Sequence, residues 1–325
     1  MTREQEAPPE ETFVHAALII DSDECLRDRL VPVLRRSLDR GEPVLMIVRE
    51  HTAEVVRDVF GDRIEWGAHD AFDERLGLVY QGFHTYLAAQ HARGRRVHVV
   101  AEPDITAGLE PDRAAAYLAY ESVCNETLAG FGCPVTCVWD SRRHPTLVVE
   151  GVRSLHSHEI TDEGDLVIAE HVTPQVYLTG RNAVPLPPPP AVTGFDVTLT
   201  HLDLSRDLRA MVRSWATGHS FGAVAEDLVL AVAEVAENGL IHGAAPVRVR
   251  GWERARTLVV QVDDAGARPL PPTAGFLPPG DRPEAARGLW LARQLADIVL
   301  THTGRGVTSV RLHFPYDVTH RRPAF

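Results

Sequence analysis

Short apolar runs alternate with longer amphipathic segments through the first part of the chain. The apolar runs have the length and β-branched content of buried strands, and they lie at 16–20, 44–48, 97–101 and 135–139. The segments between them carry apolar residues at helical spacing, over 24–40, 53–60, 72–93 and 111–129. Continuous apolar strands separated by helices predict an α/β domain with a parallel sheet and helices on both faces.

Acidic and hydroxyl side chains follow three of the predicted strands. They are Asp21, Ser22 and Asp23, then Glu102 and Asp104, and finally Asp140 and Ser141. Because ligands of parallel sheets bind at the carboxyl ends of strands, these side chains are candidates for a polar ligand site. Asp and Ser are equally common as helix N-caps after a strand, and we expect capping for most of them.

A proline-rich segment divides the chain. Residues 184–192 read VPLPPPPAV, and four consecutive prolines favour a stiff extended spacer over a helix or a central strand. We therefore predict one domain at 1–183, a linker at 184–192 and a second domain at 193–325. The second part shows helical patterns at 202–215, 225–243 and 286–297, and a strand at 257–262.

Composition removes several classes of enzyme. The 325 residues carry a net charge of −12, and every one of the 33 basic residues is Arg. Without Lys the chain lacks the phosphate-binding residue of P-loop NTPases, the strand Lys of common protein kinases and the amine of Schiff-base enzymes. The acidic first part argues against direct nucleic-acid binding, and no apolar run has the length of a membrane span. We expect a cytoplasmic protein from a GC-rich bacterial genome.

The cysteines and histidines leave two interpretations open. Cys133 and Cys137 flank PVT, and buried free thiols are the usual state in a cytosolic chain. The alternative is a zinc site completed by His144 or His156, although the spacing differs from that of a zinc ribbon. His156 and His158, in HSH, are expected at the surface rather than on a metal.

Most of residues 12–180 resemble the MEDS sensory domain found in some bacterial regulators. The resemblance rests on FVHAALIIDSDECLRDRLVPVLRRSLDRGEPVLMIV at 13–48, AEP at 101–103, YESVCNETL at 120–128 and CVWD at 137–140. It implies a RecA-like core without a working Walker motif, and the chain contains no GxxxxGK[ST]. The positions that match recurring polar residues of the family are His15, Glu102, Glu121 and Asn125. They are candidates either for a sensory ligand site or for structural hydrogen bonds. The resemblance does not identify the small molecule that such a site would bind.

Three motifs in the second part have a spacing suited to a nucleotide site. Glu234 and Asn238 are four residues apart on a predicted helix and therefore share a face. Asp264 and Gly266 form a short acidic turn after a strand. Gly288 opens the last helix, where free N–H groups suit a phosphate.

In this order the motifs resemble the GHKL ATPase superfamily, and the closest likeness is to the anti-sigma serine kinases. AVAEVAENGLIHG resembles their N box, VDDAG the first glycine box, and RGLWLARQLAD the last box. The resemblance implies a GHKL (Bergerat) α/β sandwich over 195–315 that binds ATP and Mg²⁺. The proline-rich tract 268–283 would then be a lid over ATP, with Gly275 and Gly280 allowing it to bend.

The resemblance also implies a role for each site residue. Glu234 would be the catalytic base, Asn238 the Mg²⁺ ligand, and Asp264 with Gly266 the adenine-binding turn. The phosphate-binding group would comprise Arg287, Gly288, Leu289 and Arg268. Arg268 stands where many relatives have a second Gly.

Three functions follow as expectations. The first is a transcription regulator that binds a sigma factor and phosphorylates Ser or Thr of a STAS-type antagonist, an anti-anti-sigma protein. The second is an ATP-binding module without kinase turnover, suggested by Arg268. The third is a sensor histidine kinase, for which His201 in THLDLSRDLRAMV is the candidate acceptor. An apolar face on 202–215 would serve a homodimer or partner, or pack inside its own domain.

Overall fold

A computed structural model describes residues 13–68, 71–103, 105, 111–168, 170–218, 222–266, 270–278 and 287–316. The first half is built on a seven-stranded sheet in the order β3-β2-β4-β5-β1-β6-β7. Its strands are β1 (Val14–Ile20), β2 (Val44–Ile47), β3 (Glu65–Trp66), β4 (His98–Ala101), β5 (Pro134–Asp140), β6 (His158–Thr161) and β7 (Gly164–Val167). Its helices are α1 (Asp23–Asp39), α2 (Glu50–Phe60), α3 (Leu76–Ala92), α4 (Pro111–Thr127), α5 (Thr146–Leu155) and α6 (Pro174–Ala183).

Both faces of this sheet are buried, as the continuous apolar runs predict. In β1, Leu18 and Ile20 pack with α1 and α2, while Ala17 and Ile19 pack into the core formed with α3, α4 and α5. All strand pairs are parallel except the hairpin of β6 with β7. The expected parallel sheet is therefore confirmed. The Ser22 hydroxyl accepts a hydrogen bond from the Cys25 amide at 3.1 Å, which makes it the N-cap of α1.

The second half has a five-stranded antiparallel sheet in the order β11-β12-β10-β9-β8. Its strands are β8 (Phe195–Leu199), β9 (Val247–Arg254), β10 (Thr257–Asp264), β11 (Ile298–Gly304) and β12 (Val307–Pro315). Its helices are α7 (Ser205–Thr217), α8 (Gly222–His242) and α9 (Arg287–Leu295). Side chains of the helices and the sheet form one shared core, so the expected layered α/β fold is confirmed.

The apolar side of α7 lies inside this half of the molecule. Leu208, Val212 and Ala216 are buried in the core with α8. Of the two uses expected for the apolar face of 202–215, the structure shows packing within its own domain.

The two halves are packed against each other. Helix α6 lies on β11, where the Thr301 hydroxyl donates to Asn182 Oδ1 at 2.8 Å. Arg113 on α4 forms a buried ion pair with Asp297, which follows α9. The proline segment 184–192 lies outside helices and strands, and Arg311 donates a hydrogen bond to the Pro187 carbonyl. Among the described residues, no helix is both long and apolar enough to cross a membrane.

Candidate functional site

One face of α8 carries the carboxylate and the amide expected from the sequence. Glu234 and Asn238 are both half-buried and point toward the start of α9. Glu237, the nearest other carboxylate on α8, is held elsewhere by an ion pair with Arg209 at 2.7 Å. The helical spacing thus leaves Glu234 as the acid that shares a face with Asn238.

The start of α9 is in direct contact with that face. A Cβ atom on Gly288 would lie 3.0 Å from Glu234 Oε2 and closer still to the Asn238 amide nitrogen. Only glycine allows this approach, so α9 begins against the two polar side chains. Arg287 is exposed beside it, whereas the Leu289 side chain is buried in the core. At Leu289 only the backbone amide could therefore contact a phosphate.

The acidic turn lies at the end of β10, beside the end of α8. Asp264 Oδ1 accepts a hydrogen bond from the Gly266 amide at 2.7 Å. A Cβ on Gly243, just after α8, would lie 2.6 Å from the same oxygen, so the carboxylate rests on the glycine backbone. Burial raises the pKa of Asp264, while hydrogen bonds from the backbone of Gly266 and Ala244 act in the opposite direction.

Asp263, the neighbouring acid, has a structural role in the sheet. Asp263 accepts hydrogen bonds from Gln261 at 2.7 Å and from Ser309 at 2.5 Å, and pairs with Arg250 at 2.5 Å. These contacts cross-link three strands of the sheet. Of the two adjacent acids, Asp264 is the one that turns toward α8.

Gly266 ends the turn in a conformation that suits glycine. Its φ of +61° is left-handed, and a Cβ there would lie 2.6 Å from the Gly306 carbonyl carbon. The loop between β11 and β12 therefore closes directly on the acidic turn.

The expected lid is only partly described. Arg268 and Gly280 lie outside the described residues, whereas 270–278 is described. Within that stretch Phe276 is buried in the core of the first half, with its ring centroid 5.0 Å from that of Tyr120. The Arg293 guanidinium of α9 lies 3.9 Å from the centroid of Phe276. This part of the tract is fixed between the two halves.

A second group of polar side chains is buried in the first half. His15, Glu121, Cys137 and His156 place four potential ligand atoms within 4.8 Å of one another; we call these residues the His/Glu/Cys cluster. Asn125 supports it, because its Oδ1 lies 3.2 Å from His15 Nδ1.

Four residues were predicted for a sensory ligand site, and the structure places three of them together. The structure brings together His15, Glu121 and Asn125, but Glu102 lies elsewhere. Its Oε2 accepts a hydrogen bond from the Arg49 amide at 3.0 Å, at the start of α2, and burial raises its pKa. Asp104, the other acid after β4, lies outside the described residues.

Cys133 and Cys137 are buried free thiols, as the favoured interpretation expected. Cys137 and His156 belong to the cluster, whereas Cys133 and His144 do not, and the His144 ring stacks edgewise on Trp139 with centroids 5.1 Å apart. His156 is completely buried rather than at the surface. Its place beside Cys137 depends on strand pairing, so spacing along the chain could not reveal it.

The charges within the cluster affect one another. Burial lowers the pKa of His15 to about 4, and the nearby His156 acts in the same direction. Burial opposes ionisation of Glu121, but its contacts with both histidines outweigh this and hold its pKa well below the usual range. At neutral pH His15 is therefore neutral and Glu121 is a carboxylate.

An apolar cavity of about 60 Å³ lies beside the cluster. His15, Glu121 and Cys137 form part of its wall. The remainder is apolar or aromatic and comprises Phe72, Leu76, Val79, Tyr80, Phe83, Ala101, Tyr117, Tyr120, Cys124 and Val135. Its volume exceeds that of a single water site and suits a ligand of a few heavy atoms.

Comparison with known proteins assigns both halves. The family described as "MEDS: MEthanogen/methylotroph, DcmR Sensory domain" matches residues 14–157. The family described as "Histidine kinase-like ATPase domain" matches residues 198–314. The chain carries a MEDS domain followed by a histidine kinase-like ATPase domain. The ATPase family implies ATP binding by the second half of the chain.

Other comparisons add little to this assignment. No curated protein matches the chain. One similar solved structure is "The crystal structure of the RsbU and RsbW domains of Rv1364c from Mycobacterium tuberculosis". It is 20% identical with a TM-score of 0.29, and the match covers 40% of this chain and 34% of that one. This chain therefore spans about a third of the length of that protein.

Proposed function

We propose that this protein is an anti-sigma-type regulator that binds Mg-ATP in its ATPase domain and phosphorylates Ser or Thr of an antagonist protein. The observation that carries the proposal is the meeting of three separate segments in one place. Helix α8 contacts both of the other segments: Gly288 on α9 lies against Glu234 and Asn238, and Asp264 at the end of β10 lies against Gly239 and Gly243 near the end of α8.

The acidic turn provides the adenine end of the proposed site. The Asp264 carboxylate is oriented by the Gly266 amide and by contact with Gly243. A carboxylate fixed in this way accepts a hydrogen bond from an exocyclic amino group such as that of adenine. The glycines on either side of it allow a flat ring to approach the backbone.

The contact between α8 and α9 provides the phosphate end. The free N–H groups at the start of α9 favour an anion, and the exposed Arg287 adds a positive charge. Asn238 fits a Mg²⁺ ligand because its amide oxygen is a hard donor beside a carboxylate on the same helix face. Mg²⁺, when bound, would neutralise phosphate charge.

Glu234 is the group placed to act on a protein substrate. It lies one helical turn before Asn238 and touches the start of α9. In the proposed reaction its carboxylate accepts the proton of a Ser or Thr hydroxyl as that oxygen attacks the γ-phosphorus and the bond to the β-phosphate oxygen breaks. The products are ADP and a phosphorylated antagonist.

The proposed partners are a sigma factor and a STAS-type antagonist, with the protein acting in the cytoplasm. The second candidate, an ATP-binding module without turnover, is favoured by the anchoring of 270–278 through Phe276. A lid fixed in this way closes over ATP less freely. The histidine kinase has less support, because α7, which follows His201, packs on α8 instead of projecting as a dimerising hairpin.

Transfer from γ-labelled ATP tests the proposal. The full chain is incubated with STAS-type proteins from the same genome, and acid-stable label on the antagonist is expected. Acid-labile label on the protein itself would indicate a histidine kinase, and binding without transfer would indicate the module. Failure to bind ATP would refute all three.

Substitutions on α8 test the roles proposed for Asn238 and Glu234. Asn238→Ala should abolish Mg-dependent ATP binding, because it removes the oxygen donor. Glu234→Gln should keep binding and stop transfer. Glu237→Gln is the matched control, because that carboxylate pairs with Arg209. Wild-type Mg-ATP affinity in Asn238→Ala would contradict the metal role, and normal transfer by Glu234→Gln would contradict the base.

A further inference from the structure

The His/Glu/Cys cluster joins four segments of the MEDS domain. His15 lies on β1, Glu121 on α4 and Cys137 on β5, and His156 follows α5. All four residues are buried. Burying a carboxylate and two imidazoles costs free energy unless their polar atoms find partners. The nitrogen, oxygen and sulfur atoms of the cluster therefore need binding partners inside the domain.

The hydrogen bonds around the cluster fix the tautomer of His15. The Asn125 amide donates to the Leu155 carbonyl at 2.7 Å, so its oxygen faces His15 Nδ1, 3.2 Å away. That oxygen can only accept, which places the His15 proton on Nδ1. The Nε2 lone pair of His15 then points into the cluster, 3.5 Å from Glu121 Oε1 and 3.5 Å from Cys137 Sγ.

His156 is oriented in the same way. Its Nδ1 lies 2.8 Å from the Val152 carbonyl oxygen, which can only accept a hydrogen bond. The proton of the neutral ring is therefore on Nδ1, and the Nε2 lone pair faces Glu121 Oε1 at 3.0 Å. Two lone pairs at this distance repel each other unless a positive charge lies between them. Backbone and amide acceptors behind both rings resemble the outer contacts that orient metal-binding histidines.

We propose that His15, Glu121, Cys137 and His156 bind one Zn²⁺ ion in the MEDS domain. Tetrahedral zinc has bonds of about 2.0–2.3 Å to nitrogen, oxygen and sulfur, which places its ligand atoms about 3.3–3.7 Å apart. The separations of 3.0, 3.5 and 3.5 Å between the cluster atoms are close to these values. The ion occupies the centre toward which both imidazole lone pairs point.

Charge and donor type favour zinc over a hard cation. The Glu121 carboxylate and the Cys137 thiolate together carry the two negative charges that balance Zn²⁺, so the buried site is neutral. Imidazole and thiolate are ligands of zinc and related transition metals, whereas Mg²⁺ and Ca²⁺ prefer oxygen. Binding releases the Cys137 thiol proton to solvent, with no change in oxidation state.

The site adjoins the apolar cavity, because three of its ligands line the cavity wall. The ion would hold β1, β5, α4 and the end of α5 together at that wall. The zinc site is separate from the proposed ATP site. The zinc proposal and the kinase proposal can therefore be refuted independently.

Metal content and a cobalt spectrum test the proposal. The untagged full chain should contain about one zinc per chain by mass spectrometry of the metals. After chelation, Co²⁺ should restore occupancy and give the visible bands of a tetrahedral site with a thiolate-to-cobalt charge-transfer band. Zn²⁺ added to the stripped protein should raise its melting temperature.

Two cysteine variants separate this site from adventitious binding. Cys137→Ser should remove the charge-transfer band and weaken zinc binding at least about tenfold. Cys124→Ser is the matched control, because Cys124 is also buried at the cavity but donates to the Tyr120 carbonyl and lies outside the cluster. It should behave as wild type. Glu121→Gln, which is isosteric, provides a second test if Cys137→Ser does not fold.

Three results would overturn the proposal. The first is that the wild-type protein, stripped of metal but still folded, takes up no Zn²⁺. The contact of His156 with Glu121 would then be a metal-free ion pair. The second is a cobalt spectrum without a thiolate band. The third is equal loss of zinc affinity in the Cys137 and Cys124 variants.

Discussion

Gly77 lies where the MEDS domain packs on backbone of the ATPase domain. It is the second residue of α3, and it packs on the backbone of α9. A Cβ there would overlap the Arg293 carbonyl oxygen and lie 2.6 Å from its carbonyl carbon. Because the obstacle is backbone, no rotation of a side chain can relieve the overlap. Gly77→Ala should therefore separate the two helices.

The expected loss of stability follows from these distances. Ordinary carbon–carbon contacts are about 3.5–4.0 Å, so α3 and α9 must part by about 1 Å. Overpacking of this kind costs about 1–3 kcal/mol. Gly180→Ala on α6 is the matched control, since a Cβ there meets no atom within 4 Å and alanine favours a helix by up to about 1 kcal/mol. We expect Gly77→Ala to be less stable than Gly180→Ala by at least about 1 kcal/mol.

Urea unfolding of the full chain, followed by circular dichroism, measures this difference. ATP affinity gives a second measurement, because α9 also carries Gly288 at the proposed phosphate end. It should fall in Gly77→Ala and remain unchanged in Gly180→Ala. Equal stability of the two variants would refute the close contact between α3 and α9.

Three further predictions address single sites. Gly288→Ala should weaken ATP binding at least about tenfold by calorimetry, because a Cβ would press on polar atoms of α8; unchanged affinity would contradict the site. Arg113→Ala should lower the free energy of unfolding in urea by about 3–5 kcal/mol, because it leaves Asp297 buried and unpaired; Arg95→Ala, which removes an exposed ion pair, should cost about 1 kcal/mol or less. Burial lowers the pKa of His98 from 6.5 to about 3. As the pH falls from 6.5 toward 3, His98 therefore gains a proton in the unfolded chain but not in the folded one, and His98 alone should lower the stability by about 2 kcal/mol at pH 5. His98→Gln should flatten this part of the stability curve, and an unchanged slope would exclude His98 as its source.

The elements that could be predicted are those whose signal is local. Strands β1, β2, β4 and β5 were predicted because each is a continuous apolar run, and α8 because its apolar positions recur at helical spacing. The hairpin of β6 and β7 was missed. Its sequences, HEIT and GDLV, are short and half polar, and they become strands only because β6 pairs with β1 and β7 pairs with β6 at the edge of the sheet.

The candidate ATP site shows the same division. The shared face of Glu234 and Asn238 follows from a spacing of four on one helix. That Asp264, not Asp263, faces α8 depends on the cross-strand contacts that hold Asp263 with Arg250 and Ser309. The spacing of Asp264 and Gly266 pointed to Asp264, but the partners that hold Asp263 lie on β9 and β12 and are set by the tertiary structure.

By itself the sequence determined the two-domain order, the nucleotide motifs and the absence of Lys chemistry, because each is written in neighbouring residues. Only the tertiary structure decided which side chains meet in the MEDS domain. Parallel pairing of β1 with β5 sets Ala17 opposite Cys137, which brings that thiol beside His15. Spacing along the chain had grouped Cys137 with Cys133. A ligand set drawn from four separate segments is created by long-range packing, which sequence proximity does not encode.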